Sequence, residues 1–238
     1  MKKDMYKDLN KVLELPFLDL FQCDCMELLR ATPDGFYDIA CIDVPYGINE
    51  DGASNHSRRK LTNPTLYTPK NWDKEPPAVE YFNELFRVSK NQIIWGANHF
   101  ISKLPFDSSC WIVWDKENGE NDFADCELAW TSFKTSVRRF KFRWAGMLQG
   151  DMKNKQQRIH PTEKPIQLYS WLLRKYTQPN QRILDTHAGS LSIALAVYKA
   201  NLYENMNLHL TASELDLDYC NSAIKRIKNG ISQTNIFQ

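Results

Sequence analysis

Short apolar runs alternate along this chain with segments of helical period, and that rhythm constrains its fold more than any other feature. Extended runs are read at Leu18–Cys23, Tyr37–Asp43, Gln92–Trp95, Cys110–Trp114, Cys126–Phe133, Arg138–Trp144, Arg182–Asp185 and Leu208–Ser213. Helical segments are read at Cys25–Ala31, Ala78–Ser89, Pro165–Tyr176, Ser190–Tyr203 and Asp216–Lys228. In the third of these, Ile166, Leu168, Tyr169, Leu172, Leu173 and Tyr176 recur at helical spacing, which predicts a core-facing stripe. Pro165 suits a first helical turn, where its missing N–H would have no partner. Strands alternating with helices imply an α/β fold, a mostly parallel sheet with helices on both faces. The 238 residues suffice for one large core and are read as a single domain, 1–238.

Two stretches break the rhythm. Residues 48–77 are polar and turn-rich, and a connection that long is a lid, a binding loop or disordered. Residues 145–160 are read as a second loop. No apolar run approaches the roughly 18 residues needed to cross a bilayer. Met1-Lys2-Lys3-Asp4 opens without the apolar stretch of a signal peptide. Six cysteines include Cys23-x-Cys25 but no second pair at metal-ligand spacing, so no metal site is expected. Reduced thiols and a cytoplasmic location are the simple reading.

Net charge is only +1, yet it is unevenly spread. From Lys134 to Lys164, nine Lys/Arg face only Asp151 and Glu163, a net +7 that leaves −6 for the remainder. Such a block is either solvated surface or a face for a polyanion. Within it, Arg138, Arg139, Lys141 and Arg143 interleave with Phe140, Phe142 and Trp144. On a strand that alternation predicts one mainly cationic and one aromatic face.

Two turns carry the chemistry. Asp43-Val44-Pro45-Tyr46-Gly47 follows the first buried run and gathers a carboxylate, a polar backbone turn and a ring at a strand's C-terminal edge, where open α/β sheets bind ligands. It is either a plain junction or a site for a flat heteroaromatic amine. Arg182-Ile183-Leu184-Asp185 leads into Thr186-His187-Ala188-Gly189-Ser190 and a helix, a common seat for a ligand's polar end. The next strand ends on Glu214, an acid placed to accept ribose hydroxyls. An ordinary βαβ unit with an exposed acid has the same pattern.

Asp43-Val44-Pro45-Tyr46 resembles the Asp-Pro-Pro-Tyr motif of amino-methylating DNA methyltransferases, which modify adenine N6 or cytosine N4. His160-Pro161-Thr162-Glu163-Lys164-Pro165, followed by Asp185-x-x-x-Gly189-Ser190, resembles the cofactor half of the same family. The order, with the catalytic motif before the cofactor motif, is that of the permuted beta group. Phe21–Leu29 is similar to the family's opening segment, and Ile93–Phe100 and Phe123–Trp130 are similar to segments of phage- and mobile-element-type members. Trp95 and Trp130 are themselves read as core residues. The resemblance covers nearly the whole chain.

It implies a Rossmann-like S-adenosylmethionine-dependent methyltransferase fold, circularly permuted, and methyl transfer to N6 of a flipped-out adenine in duplex DNA. Asp43 and the Val44 carbonyl would accept the amine's N–H groups, Tyr46 would stack on the base and Pro45 would stiffen the turn. Asp185, Thr186, His187, Gly189 and Ser190 would line the methionine end and Glu214 the ribose. Asp24 is a candidate for the adenine end and Lys164 for the carboxylate. Arg138, Arg139, Lys141 and Arg143 would contact phosphate, with a recognition segment at about 116–158. A monomer or a homodimer is implied, with a restriction partner left open. Asp43 favours adenine, because the cytosine-N4 group usually carries serine there. The other readings are a cytosine-N4 or RNA methyltransferase and a catalytically silent nucleic-acid-binding homologue.

Val44, Thr186, His187 and Leu191 depart from the family pattern, where proline, proline, phenylalanine and glycine are usual. Leu191 matters most. If its position needs φ > 0, leucine is strained there by roughly 1–2 kcal/mol; if it lies in the helix's first turn, leucine costs little.

Overall fold

The computed structural model describes residues 5–48, 73–118, 124–145, 148–153, 155–156, 158–160 and 162–235. Most of the loop expected at 48–77, and parts of the segments at 116–158 and 145–160, lie outside the described residues.

A nine-stranded sheet forms the centre. Its strands are β1 (Lys11–Leu15), β2 (Leu18–Gln22), β3 (Ile39–Ile42), β4 (Gln92–Trp95), β5 (Trp111–Asp115), β6 (Cys126–Thr131), β7 (Arg138–Lys141), β10 (Arg182–Asp185) and β11 (His209–Glu214). β8 (Trp144–Ala145) and β9 (Leu148–Gln149) make a separate two-stranded ladder. The order across the sheet is β1-β2-β11-β10-β3-β4-β6-β5-β7. From β2 to β4 every neighbour is parallel. Among the described residues five α-helices complete the fold: α1 (Cys25–Ala31), α2 (Val79–Val88), α3 (Ile166–Tyr176), α4 (Ser192–Glu204) and α5 (Leu217–Asn235).

The parallel strands are buried on both sides, and alternation along each strand divides the core in two. Ile39, Cys41, Ile93, Trp95, Ile183 and Leu210 face α3, α4 and α5. Ala40, Ile42, Ile94 and Leu184 face α1 and α2. Phe82 and Leu85 anchor α2 with no more than 1% of their surface exposed; truncating either to alanine costs roughly 2–5 kcal/mol.

The elements refine the expected pattern in three places. The sheet is mostly parallel, as expected, with β6 paired antiparallel to both β4 and β5. Pro165 occupies the N-cap of α3 (φ −70°, ψ 146°), one residue ahead of the first turn. Strand β1, which the apolar pattern did not reveal, forms a hairpin with β2.

Candidate active site

β10 and β3 lie side by side but lead in opposite directions. β10 continues through α4 to β11 on one flank, and β3 through α2 to β4 on the other. The crevice opens at such a switch point, beyond the strands' C-terminal ends. Both turns singled out in the sequence meet there. Asp43, Val44, Pro45 and Tyr46 line one cavity of about 1940 Å³ together with Asp24, Lys164, Asp185–Ser190 and Glu214.

The turn after β3 is braced on all sides. Val44 is buried in the core on the α1–α2 side, so valine serves there as packing. Asp73 Oδ1 accepts the N–H groups of Tyr46 (2.7 Å) and Gly47 (2.9 Å). Tyr46 donates its hydroxyl to Asp43 Oδ1 at 2.9 Å. Its ring packs against Gly96, where the backbone has φ +69° and a Cβ would overlap the ring. His99 stacks on it at 5.3 Å between centroids and 15° between planes. Two rings so close leave no space for a base between them, since each stacked contact needs about 3.5 Å. The face of Tyr46 expected to receive a base is therefore shared with an exposed imidazole.

Lys164 lies elsewhere than expected. Its ammonium donates to Asp43 Oδ1 (2.5 Å), Tyr46 Oη (3.1 Å) and Glu127 Oε2 (3.2 Å). Three protons meet three acceptors, so none remains for a cofactor carboxylate. Glu127 stands beyond the end of β4, because Trp95 pairs with Ala129 and β6 runs on past it. Its Oε1 pairs with Lys116 at 2.6 Å. Burial opposes its charge, but the two ammonium groups outweigh that and hold its pKa down at about 2. Burial also opposes the Lys164 charge, and Asp43 and Glu127 reverse the effect, keeping the amine protonated. Asp43 is raised, chiefly by burial, with Glu127 adding and Lys164 opposing.

On the other wall, Gly189 takes φ +48° and donates its N–H to Glu214 Oε2 at 2.8 Å. Glu214 Oε1 accepts from the Asp216 N–H at 2.9 Å, and the Leu215 N–H also bonds the carboxylate. Asp185 accepts the His187 N–H at 3.1 Å, and burial lifts its pKa to about 7. The Thr186 hydroxyl bridges Tyr81 Oη (2.5 Å) and His187 Nδ1 (2.9 Å). Thr186 and His187 thus act as a matched pair, and burial lowers the imidazole's pKa to about 4, keeping it neutral. Leu191 adopts φ +54°, the strained alternative, with its side chain in the core and away from the cavity lining. Arg226 steadies this turn, donating to Ser190 O (2.8 Å), Ser192 Oγ (2.9 Å) and Glu163 Oε1 (2.7 Å). Asp24 caps α1 through the Met26 N–H at 2.7 Å.

Arg138, Arg139, Lys141 and Arg143 do not line the cavity. The first three form edge strand β7, paired with β5, and all four are exposed. Phe140 and Phe142 stack inward, toward Trp171 and Trp144. Trp95 and Trp130 are core residues with at most 1% exposure. Reading the sequence missed Glu127, Lys116, Asp73, His99 and Arg226. Glu127 and His99 lie within segments already noted for their resemblance, Asp73 within the loop read at 48–77 and Lys116 at the start of the recognition segment; Arg226 carried no signal.

Residues 112–225 match the N6/N4 family model described as DNA methylase. Among solved structures, the chain is similar to M1.HpyAVI (14% identity, covering 88% of this chain and 98% of that one, TM-score 0.51). It is also similar to the cytosine-N4-specific PvuII DNA methyltransferase (12%, 90% and 89%, TM-score 0.55). A third is TTHA0409 from Thermus thermophilus, complexed with S-adenosyl-L-methionine (18%, 87% and 91%, TM-score 0.51). The structural likenesses establish a shared α/β fold.

Proposed function

We propose that this chain is an S-adenosylmethionine-dependent DNA amino-methyltransferase of the permuted beta group, acting on N6 of adenine in duplex DNA. One observation carries the reading: the Asp43–Tyr46 turn and the Asp185–Ser190 turn line the same cavity. The residues present fit the cofactor. Gly189 carries no side chain into the cavity before α4, the Glu214 carboxylate lines it where ribose hydroxyls would lie, and Leu191 does not intrude. When bound, S-adenosylmethionine supplies an electrophilic methyl group.

The chain's own residues prepare the amine. An exocyclic amino group is a poor nucleophile because its lone pair is delocalised into the ring. Asp43 and the Val44 carbonyl accept its two N–H bonds, which localises the pair on nitrogen and aims it. The Val44 carbonyl has no donor among the described residues, as this role requires. Proximity and preorganised charge then supply most of the rate. Arg139, Lys141 and their neighbours contribute backbone contacts to the duplex.

Duplex DNA incubated with the protein and methyl-labelled S-adenosylmethionine, then digested to nucleosides, tests this reading. N6-methyldeoxyadenosine is expected. N4-methyldeoxycytidine would transfer the account to the cytosine group, label only in RNA would move it to that substrate, and unlabelled nucleosides would indicate a silent homologue.

A further inference from the structure

We propose that Glu127 and Lys164 are positioning residues that confine the ammonium to one oxygen of Asp43 and leave Oδ2 as the acceptor offered to the amine. This rests on Asp43 being the amine acceptor. The geometry supplies the argument. Asp43 Oδ1 receives the Lys164 ammonium at 2.5 Å and the Tyr46 hydroxyl at 2.9 Å, which fills both its lone pairs. Oδ2 has no donor among the described residues.

An ammonium facing a lone carboxylate is free to straddle both oxygens. Here Glu127 Oε2, 3.2 Å from Nζ on the other side, draws it away. Glu127 is itself tied to Lys116. Asp43, Lys164, Glu127 and Lys116 thus form a chain that alternates in sign. Lys164, with a side chain only 2% exposed, has little other room to move. Asp185 on β10, Cys41 on β3, Tyr169 on α3 and Tyr46 also face Asp43. Among these, Lys164 is the one cation.

The signs of the two substitutions are opposite. Glu127→Gln removes a like charge from near Asp43, so the acid limb of the kcat–pH profile moves down, by about one pH unit. Lys164 is then released to cover Oδ2, and kcat falls on the order of ten- to a hundredfold while S-adenosylmethionine binding is kept. Lys164→Met removes the stabilising cation, and the acid limb moves up. A merely structural pair would lower activity without moving the limbs apart. Carbon-13 titration of the Asp43 carboxyl in the unliganded protein, assigned by its loss in Asp43→Asn, carries the same expectation without catalysis. Opposite shifts in the two variants support the proposal, even if wild type transfers no methyl group and the functional reading falls. Shifts in the same direction, or none, overturn it; should Lys164→Met not fold, a downward shift in Glu127→Gln supports the proposal and an upward shift or none overturns it.

Discussion

Leu191 combines two opposed effects in one residue. Its left-handed backbone costs about 1–2 kcal/mol, whereas truncating a fully buried leucine costs roughly 3–5 kcal/mol. Burial wins, so Leu191→Gly, although it restores the family's glycine, is expected to lower the midpoint of thermal unfolding; a rise would mean that strain dominates. Asp185 gives a pH signature. Its carboxyl titrates at 3.8 when unfolded and about 7 when folded, so its contribution to stability is full below the first value and is lost as pH rises through the second. Asp43 is raised too and adds to the same slope. Asp185→Asn should therefore flatten, without abolishing, the fall in stability between about pH 4 and pH 7. An unchanged slope in thermal denaturation would show that Asp185 ionises freely in the fold.

At the scale of elements, β7 packs Phe140 inward against Trp171 and leaves Arg138, Arg139 and Lys141 exposed. If those cations contact phosphate, replacing Arg139 and Lys141 together with alanine should weaken binding to all sequences. It should also reduce the slope of log K against log salt by about 2. An unaltered slope would move the DNA face off this strand. Strands bounded by sharp punctuation, such as Gln92–Trp95 and Arg182–Asp185, were legible to the residue. β1 was not, because its exposed and half-buried residues give no clean alternation. Glu127 could not be assigned from sequence either. Its place depends on the antiparallel register of β6 against β4, and nothing local to residues 123–130 specifies which strand it meets.

Across the whole molecule, the sheet's switch point does the joining. Asp43 and Gly189 stand far apart in the chain, yet β3 and β10 pair directly, with Ile183 opposite Ile39. The resemblance of motifs anticipated that meeting; the charge pattern between them was hidden. The resemblance implied that Lys164 reaches the cofactor's carboxylate, and only the folded cavity turns it to Asp43. The central claim is that one wall serves the amine and the other the cofactor. Asp43→Ala separates the two most directly, with S-adenosylmethionine binding followed by calorimetry and methyl transfer to DNA measured on the same preparation. Near wild-type binding is expected with less than about a tenth of the transfer, a loss consistent with removing a transition-state hydrogen bond. Retained transfer, or cofactor binding lost along with it, would contradict that division.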